Sequence, residues 1–175
     1  MNIDFISLGV SIVLIMAFIA PIYLHIRQSN LQMSRALAEI EKFAHSHGLN
    51  LNRMENWRKR YFIGLDSINA KLVYTSDMST IPPSLLDLEE VAQILLEEHF
   101  HHAHINKGEK TKVLDSVYLL LLGIEGQELH RLEFYDGNKF SDLSGEAMLA
   151  KQWKKSIEEA IGAANPLKAL SLSKA

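Results

Sequence analysis

The stretch 85–106, LLDLEEVAQILLEEHFHHAHIN, decides how the rest of this chain can fold. Read as a helix, Leu88, Val91, Ala92, Leu95, Leu96 and His99 recur at three and four residues, and the glutamates are good helix formers. Read as a strand, Val91, Ile94 and the alternating histidines suit a period of two. Local spacing favours the helix. Its neighbours on both sides read as strands, so the choice sets the architecture.

Downstream, Lys107-Gly108 marks a turn and VLDSVYLLLLGI follows. That run is too apolar for a solvated face, so both faces of the strand are expected to be covered. Gly123 to Gly126 makes the next turn. HRLEFYD then alternates, with Leu132 and Phe134 on one face and Glu133 and Tyr135 on the other. Asp136-Gly137-Asn138 turns the chain again. Upstream, YFIGLD and AKLVYTSD flank Ser67-Ile68-Asn69 and predict a hairpin. STIPPS is a loop, because each proline removes a donor and restricts the residue before it.

Helices enclose this β-rich centre. Toward the C-terminus, Ser144 is placed to N-cap a helix with Glu146 in its first turn. Leu149, Trp153, Ile157, Ala160 and Ile161 form its apolar stripe, Gly162 stops it, and residues 163–175 form a loose tail. Residues 27–48 predict a stalk helix ended by Gly48. Its stripe of Met33, Leu37, Ile40 and Ala44, flanked by Phe43, packs on the domain or pairs with a second copy.

Before the stalk, residues 5–26 read FISLGVSIVLIMAFIAPIYLHI, with no charged side chain. Roughly 22 helical residues cover ~33 Å, enough for a ~30 Å hydrocarbon core. A cleaved leader usually has a basic start and an A-x-A site. This chain starts Met1-Asn2-Ile3-Asp4, and Ala17 and Ala20 are spaced A-x-x-A. A transmembrane helix is therefore expected. Arg27, Arg35 and Lys42 follow it, which places residues 1–4 outside and the domain in the cytoplasm.

The chain has 175 residues, a net charge of -3 and no cysteine. About 150 residues after the span make one ordinary domain. The charge argues against nucleic acid as a partner. Without cysteine there is no disulfide, thiolate metal site or cysteine nucleophile.

In order, the chain offers Trp57 and YFIGLDSINAKLVY, DLEEVAQILL, VYLLLL, LEFYD and LSGEAMLAKQWKKSI. Across roughly 31–162 this series resembles uncharacterised bacterial single-span proteins with a pleckstrin-homology-like cytoplasmic domain. The resemblance implies an α+β fold. Residues 57–162 would form a strongly bent antiparallel sheet capped by the C-terminal helix, with Trp153 inward. It also implies that 87–96 is a strand, against the local preference. The membrane would be the inner (plasma) membrane. Lipid-binding pleckstrin-homology domains carry several bases around the first hairpin loop. Here Lys71 alone follows 66–70, so specific phosphoinositide binding is not expected.

Two clusters carry candidate chemistry. His99, His101, His102 and His104 could ligate zinc or nickel, or respond to pH, because imidazole is a good ligand and titrates near neutrality. A tight site needs a third or fourth ligand, which His130, Glu97 or Glu98 supplies only if the fold brings it close; otherwise the histidines are a solvated run at a hairpin end. Trp57, Arg58, Lys59 and Arg60 form a basic and aromatic cluster that either touches anionic headgroups at the membrane surface or is a solvated loop with Trp57 packed on the domain. The acid pairs Glu89-Glu90 and Glu97-Glu98 read as a solvated face. Ser141 and Ser144 lack a nucleophile elbow, and no phosphate loop, HExxH or GxGxxG occurs. The expected function is a non-enzymatic interaction module holding a protein partner, or its own copy, at the bilayer. A metal- or pH-responsive sensor is the alternative.

Overall fold

A computed structural model of the chain describes residues 5–105 and 109–164. The expected segment 1–4 and most of the 163–175 tail lie outside the described residues. Helix α1 (Phe5–Ser46) leads into β1 (Arg53–Trp57), β2 (Tyr61–Asp66), β3 (Lys71–Thr75) and β4 (Ser84–Asp87). A 3-10 turn, Leu88–Glu90, precedes β5 (Gln93–Ile105), β6 (Glu109–Leu122), β7 (Glu128–Asp136) and α2 (Glu146–Ala164).

The fold is α+β, with two antiparallel sheets ordered β1-β2-β3-β4 and β5-β6-β7. The strongly bent single sheet implied by the resemblance is not what forms. Asp87 breaks the extended chain by accepting from the Glu89 N–H at 2.9 Å, and the 3-10 turn swings it into a second sheet. The 87–96 segment is thus the end of one strand, a turn and the start of another. β1 opens at Arg53 and pairs with β2 throughout.

The strand reading of 93–105 prevails through pairing with β6: Leu95 faces Leu120, and Leu96 faces Leu119. The core lies between the sheets, where Ile63, Leu72, Ile94, Leu119, Phe134 and Trp153 are fully buried. α2 packs against β5, β6 and β7 through Trp153 and Ile157. Its start differs from the sequence reading. Gly145 (φ 94°) occupies the cap position, and the Ser144 hydroxyl donates to Asp142 instead. Only β6's inner face is closed: Val117, Leu119 and Leu121 are buried, whereas Tyr118, Leu120 and Leu122 are part-exposed.

α1 is one unbroken helix through Pro21, so the expected span and stalk are continuous. From Ser11 on it is long and apolar enough to cross a membrane, and its apolar window is not buried in protein. The stalk stripe packs on the domain: Ile40 and Ala44 join Phe62, Val73 and Met78 in a second core on the outside of the first sheet. This explains why every residue of β2 is buried. Gly48 at φ 66° ends the helix, with the Leu49 N–H returning to Ala44 O at 3.0 Å.

The helix end lies beside the β2–β3 turn, where His47 and Leu49 share a groove with Ile68 and Lys71. The stripe reaches Phe62 and Met78 near the other end of the sheet. Traced backwards, α1 therefore leaves the domain at the end that carries the β1–β2 turn.

Asp66 holds the β2–β3 turn. Burial pushes its carboxyl up, but the Asn69 amide and the N–H groups of Asn50, Asn69 and Ile68 all donate to it. The balance lies below the usual aspartate range. A depressed folded-state value adds stability above the unfolded pKa of about 4 and loses it as pH falls further. Asp66→Asn is expected to cost about 1–2 kcal/mol at pH 7 and to flatten the loss of stability below pH 4. Denaturant midpoints measured across pH check both parts.

Candidate functional site

The end of the domain from which α1 departs is built around the turn Trp57–Arg60. The Arg60 N–H donates to Trp57 O at 3.1 Å, and Arg58 and Lys59 both stand in the left-handed region (φ 55° and 51°). This is the sense of turn that suits the twist of a hairpin, and it ordinarily selects glycine or asparagine. Two successive long side chains there cost of order 1 kcal/mol or more each, so their surroundings must hold them.

Arg58 supplies that hold. Its Nε donates to Glu146 Oε1 at 2.5 Å, Nη1 to Asp142 Oδ1 at 3.0 Å and Nη2 to Asp142 O at 2.6 Å. The guanidinium also lies 4.8 Å from the Phe140 ring centroid. Glu146 is 3% exposed, and its second oxygen accepts the Ser144 N–H at 2.6 Å. The Glu146 hydrogen bond holds Arg58 above its ordinary pKa despite burial, and Arg58 in turn holds Asp142 below the usual range.

Trp57 is stacked between Tyr61 and Phe134, and its Nε1 donates to Phe134 O at 2.9 Å. Arg60 pairs with Asp77 at 3.0 Å. Of the four residues expected at a membrane surface, three are therefore engaged within the domain, and Lys59 is exposed at the tip of the turn. Beside them, Glu133 accepts from Tyr61 and Lys139, each at 2.6 Å. Burial first, and then Glu133, push the Tyr61 hydroxyl far up, so it stays a donor.

The histidines follow on β5. Its ladder with β6 slips after His99: Phe100 pairs with Leu114 and His99 with Ser116, leaving Asp115 as an extra bulged residue. The bulge turns Asp115 onto His101 Nδ1. It also brings Asp115 O against the Gly137 N–H at 2.6 Å, where a Cβ on residue 137 would stand 3.0 Å from that oxygen. His99 Nε2 lies 3.3 Å from Glu97 Oε1, and Arg131 bridges the same carboxylate at 3.1 Å.

His99 and His101 are thus held by different carboxylates. His102 lies opposite Lys112, and His104 opposite Lys110, with the His104 side chain outside the described residues. Among the described residues, no group of three or more His, Asp or Glu side chains is arranged to hold a metal ion. His101 and Asp115 instead flank an open groove of about 550 Å³ shared with Tyr135 and Phe140.

Sequence reasoning missed the Arg58–Glu146–Asp142 lock and the Asp115–His101 pair. An acid in the first turn of α2 was visible, but its partner 88 residues away was not. No family model, no curated protein and no solved structure matches the chain.

Proposed function

We propose that this chain is a single-span membrane protein whose domain is a non-enzymatic interaction module held at the bilayer. In this reading residues 5–26 cross the inner (plasma) membrane, residues 1–4 lie outside and the domain is cytoplasmic. The unbroken, protein-free apolar part of α1 supports the anchor. The bases Arg27, Arg35 and Lys42 on the domain side support the orientation. Sheets of four and three antiparallel strands followed by one helix, with Trp153 buried inward, support a pleckstrin-homology-like domain.

The outer face of the second sheet carries the interaction reading. Leu95 on β5 and Tyr118, Leu120 and Leu122 on β6 are part-exposed there, while Val117, Leu119 and Leu121 on the opposite face of β6 are buried. Arg131 and Glu97 rim them, with the Arg131 guanidinium 5.2 Å from the Tyr118 ring centroid. An apolar centre within a charged rim is the usual anatomy of a protein contact. The occupant is a protein partner or a second copy of this chain.

The test uses intact membranes and Gln93→Cys as the single thiol beside the patch, since the chain has no cysteine. The chain is expected to stay in the membrane after a carbonate wash. A cross-linked species is expected from position 93 and should be lost in Leu120→Arg. A freely soluble product defeats the anchor. Cross-linking that Leu120→Arg leaves unchanged, or none at all, defeats the interaction surface.

A further inference from the structure

The β5–β6 ribbon outruns its sheet. β7 pairs with β6 only as far as Ser116–Asp136, while β5 and β6 stay paired on to Ile105–Glu109. The free part is therefore two-stranded, and from Ser116 to Glu109 it spans about 23 Å.

Its direction follows from the ends of the domain. Where β5 begins and β6 ends, Ala92 bonds Leu122, and the nearby Leu88 bonds Ala70 at the β2–β3 turn. Toward the other end of the sheet, Trp57 stacks on Phe134, and Phe140 lies 6.1 Å from Tyr61. The ribbon thus projects from the end at which α1 leaves. Between Ile26, where the uncharged apolar run ends, and Met33, the first stalk side chain packed on the domain, α1 advances only about 10 Å. The ribbon is longer than that gap.

The chemistry is directional too. Residues 99–113 hold three lysines against the single acid Glu109. Phe100 and Val113 are 38% and 37% exposed, and Lys112 Nζ lies 3.7 Å from the Phe100 ring centroid. Several described acids near this end meet a base, Asp77 with Arg60, Glu146 and Asp142 with Arg58, and Glu133 and Asp136 with Lys139, and Asp115 is bonded to His101, while Glu55 is exposed. At the opposite end Glu90 and Glu125 are exposed.

We propose that the β5–β6 ribbon rests on the bilayer that anchors α1, with Lys112 against anionic lipid headgroups and Phe100 in the interface. This rests on the reading of α1 as a span. Each base near an anionic surface strengthens contact, and an aromatic ring settles at headgroup depth.

The test uses the full chain in vesicles of phosphatidylcholine, with or without 30% phosphatidylglycerol. An environment-sensitive dye is placed on His102→Cys, and on Glu125→Cys as the far-end control. With anionic lipid, the dye at 102 is expected to be quenched by acrylamide about twofold less than the dye at 125. The protection should shrink in 0.5 M salt or in Lys112→Glu, an exposed change of little cost to folding. Equal quenching at 102 in both lipids, in chains that float with the vesicles, overturns the ribbon contact alone. Chains that do not float overturn the anchor and the contact together.

Discussion

Trp153→Ala is expected to lower the unfolding free energy by about 3–5 kcal/mol, the range for removing a large buried aromatic. Trp153 is 0% exposed, and the Arg53 guanidinium lies 4.7 Å over its ring. Arg53 is itself held by the Ser156 hydroxyl one turn further along α2. The indole therefore joins α2 both to the core between the sheets and to β1. Its Nε1 is buried with no hydrogen-bond partner among the described residues. Trp153→Phe discards that unpaired N–H while keeping most of the apolar surface. It is expected to cost less than half as much as the alanine change. Urea unfolding of the detergent-solubilised chain, followed by near-ultraviolet circular dichroism, separates the two. Equal losses for phenylalanine and alanine would show that the ring is not packed as described.

Glu146→Gln is expected to cost about 3 kcal/mol, because it leaves the Arg58 guanidinium largely buried without its main counter-charge. The side chains of Arg58 and Glu146 are 14% and 4% exposed, so water replaces the lost partner poorly. Asp142→Asn touches the same guanidinium, but the Asp142 side chain is 68% exposed and the Asp142 backbone oxygen remains as an acceptor. Its effect should be small. Arg58→Lys cannot repeat the three-way contact, because an ammonium lacks the planar fork. A double-mutant cycle on residues 58 and 146 should return a coupling of about 2 kcal/mol or more. Lys59→Gly relieves a left-handed backbone without touching the lock, and no loss of stability is expected. Were it as damaging as Glu146→Gln, the turn and not the ion pair would be holding this end together.

Much of the architecture was legible because it depends on local pattern. The hairpin at 61–75, the alternating run before Asp136, the C-terminal stripe and the glycine stop at 48 each follow from spacing that one element imposes on itself. The 85–106 segment resisted. β5 buries Ile94 and half-buries both Leu95 and Leu96, so its apolar residues fall next to one another and fit either period. The site was less legible still. The cluster at 57–60 read either as lipid-facing or as a solvated loop with Trp57 packed on the domain; Trp57 does pack there, and Asp142 and Glu146 draw Arg58 inward as well. The histidines read as a solvated run, a metal site or a pH-responsive patch, and a one-residue bulge sets His101 against Asp115.

Taken alone, the amino-acid order determined the apolar run of α1, the β-rich centre and the closing helix. Each of these is a property of consecutive residues: their apolar content, their period and the residues that turn the chain. Tertiary structure decided that 93–105 is a strand, that the strands divide into two sheets, and which charges meet. Those outcomes depend on pairs such as Leu96 with Leu119 and Arg58 with Glu146, far apart in the chain. Their free energy exists only once the chain has closed the loop between them.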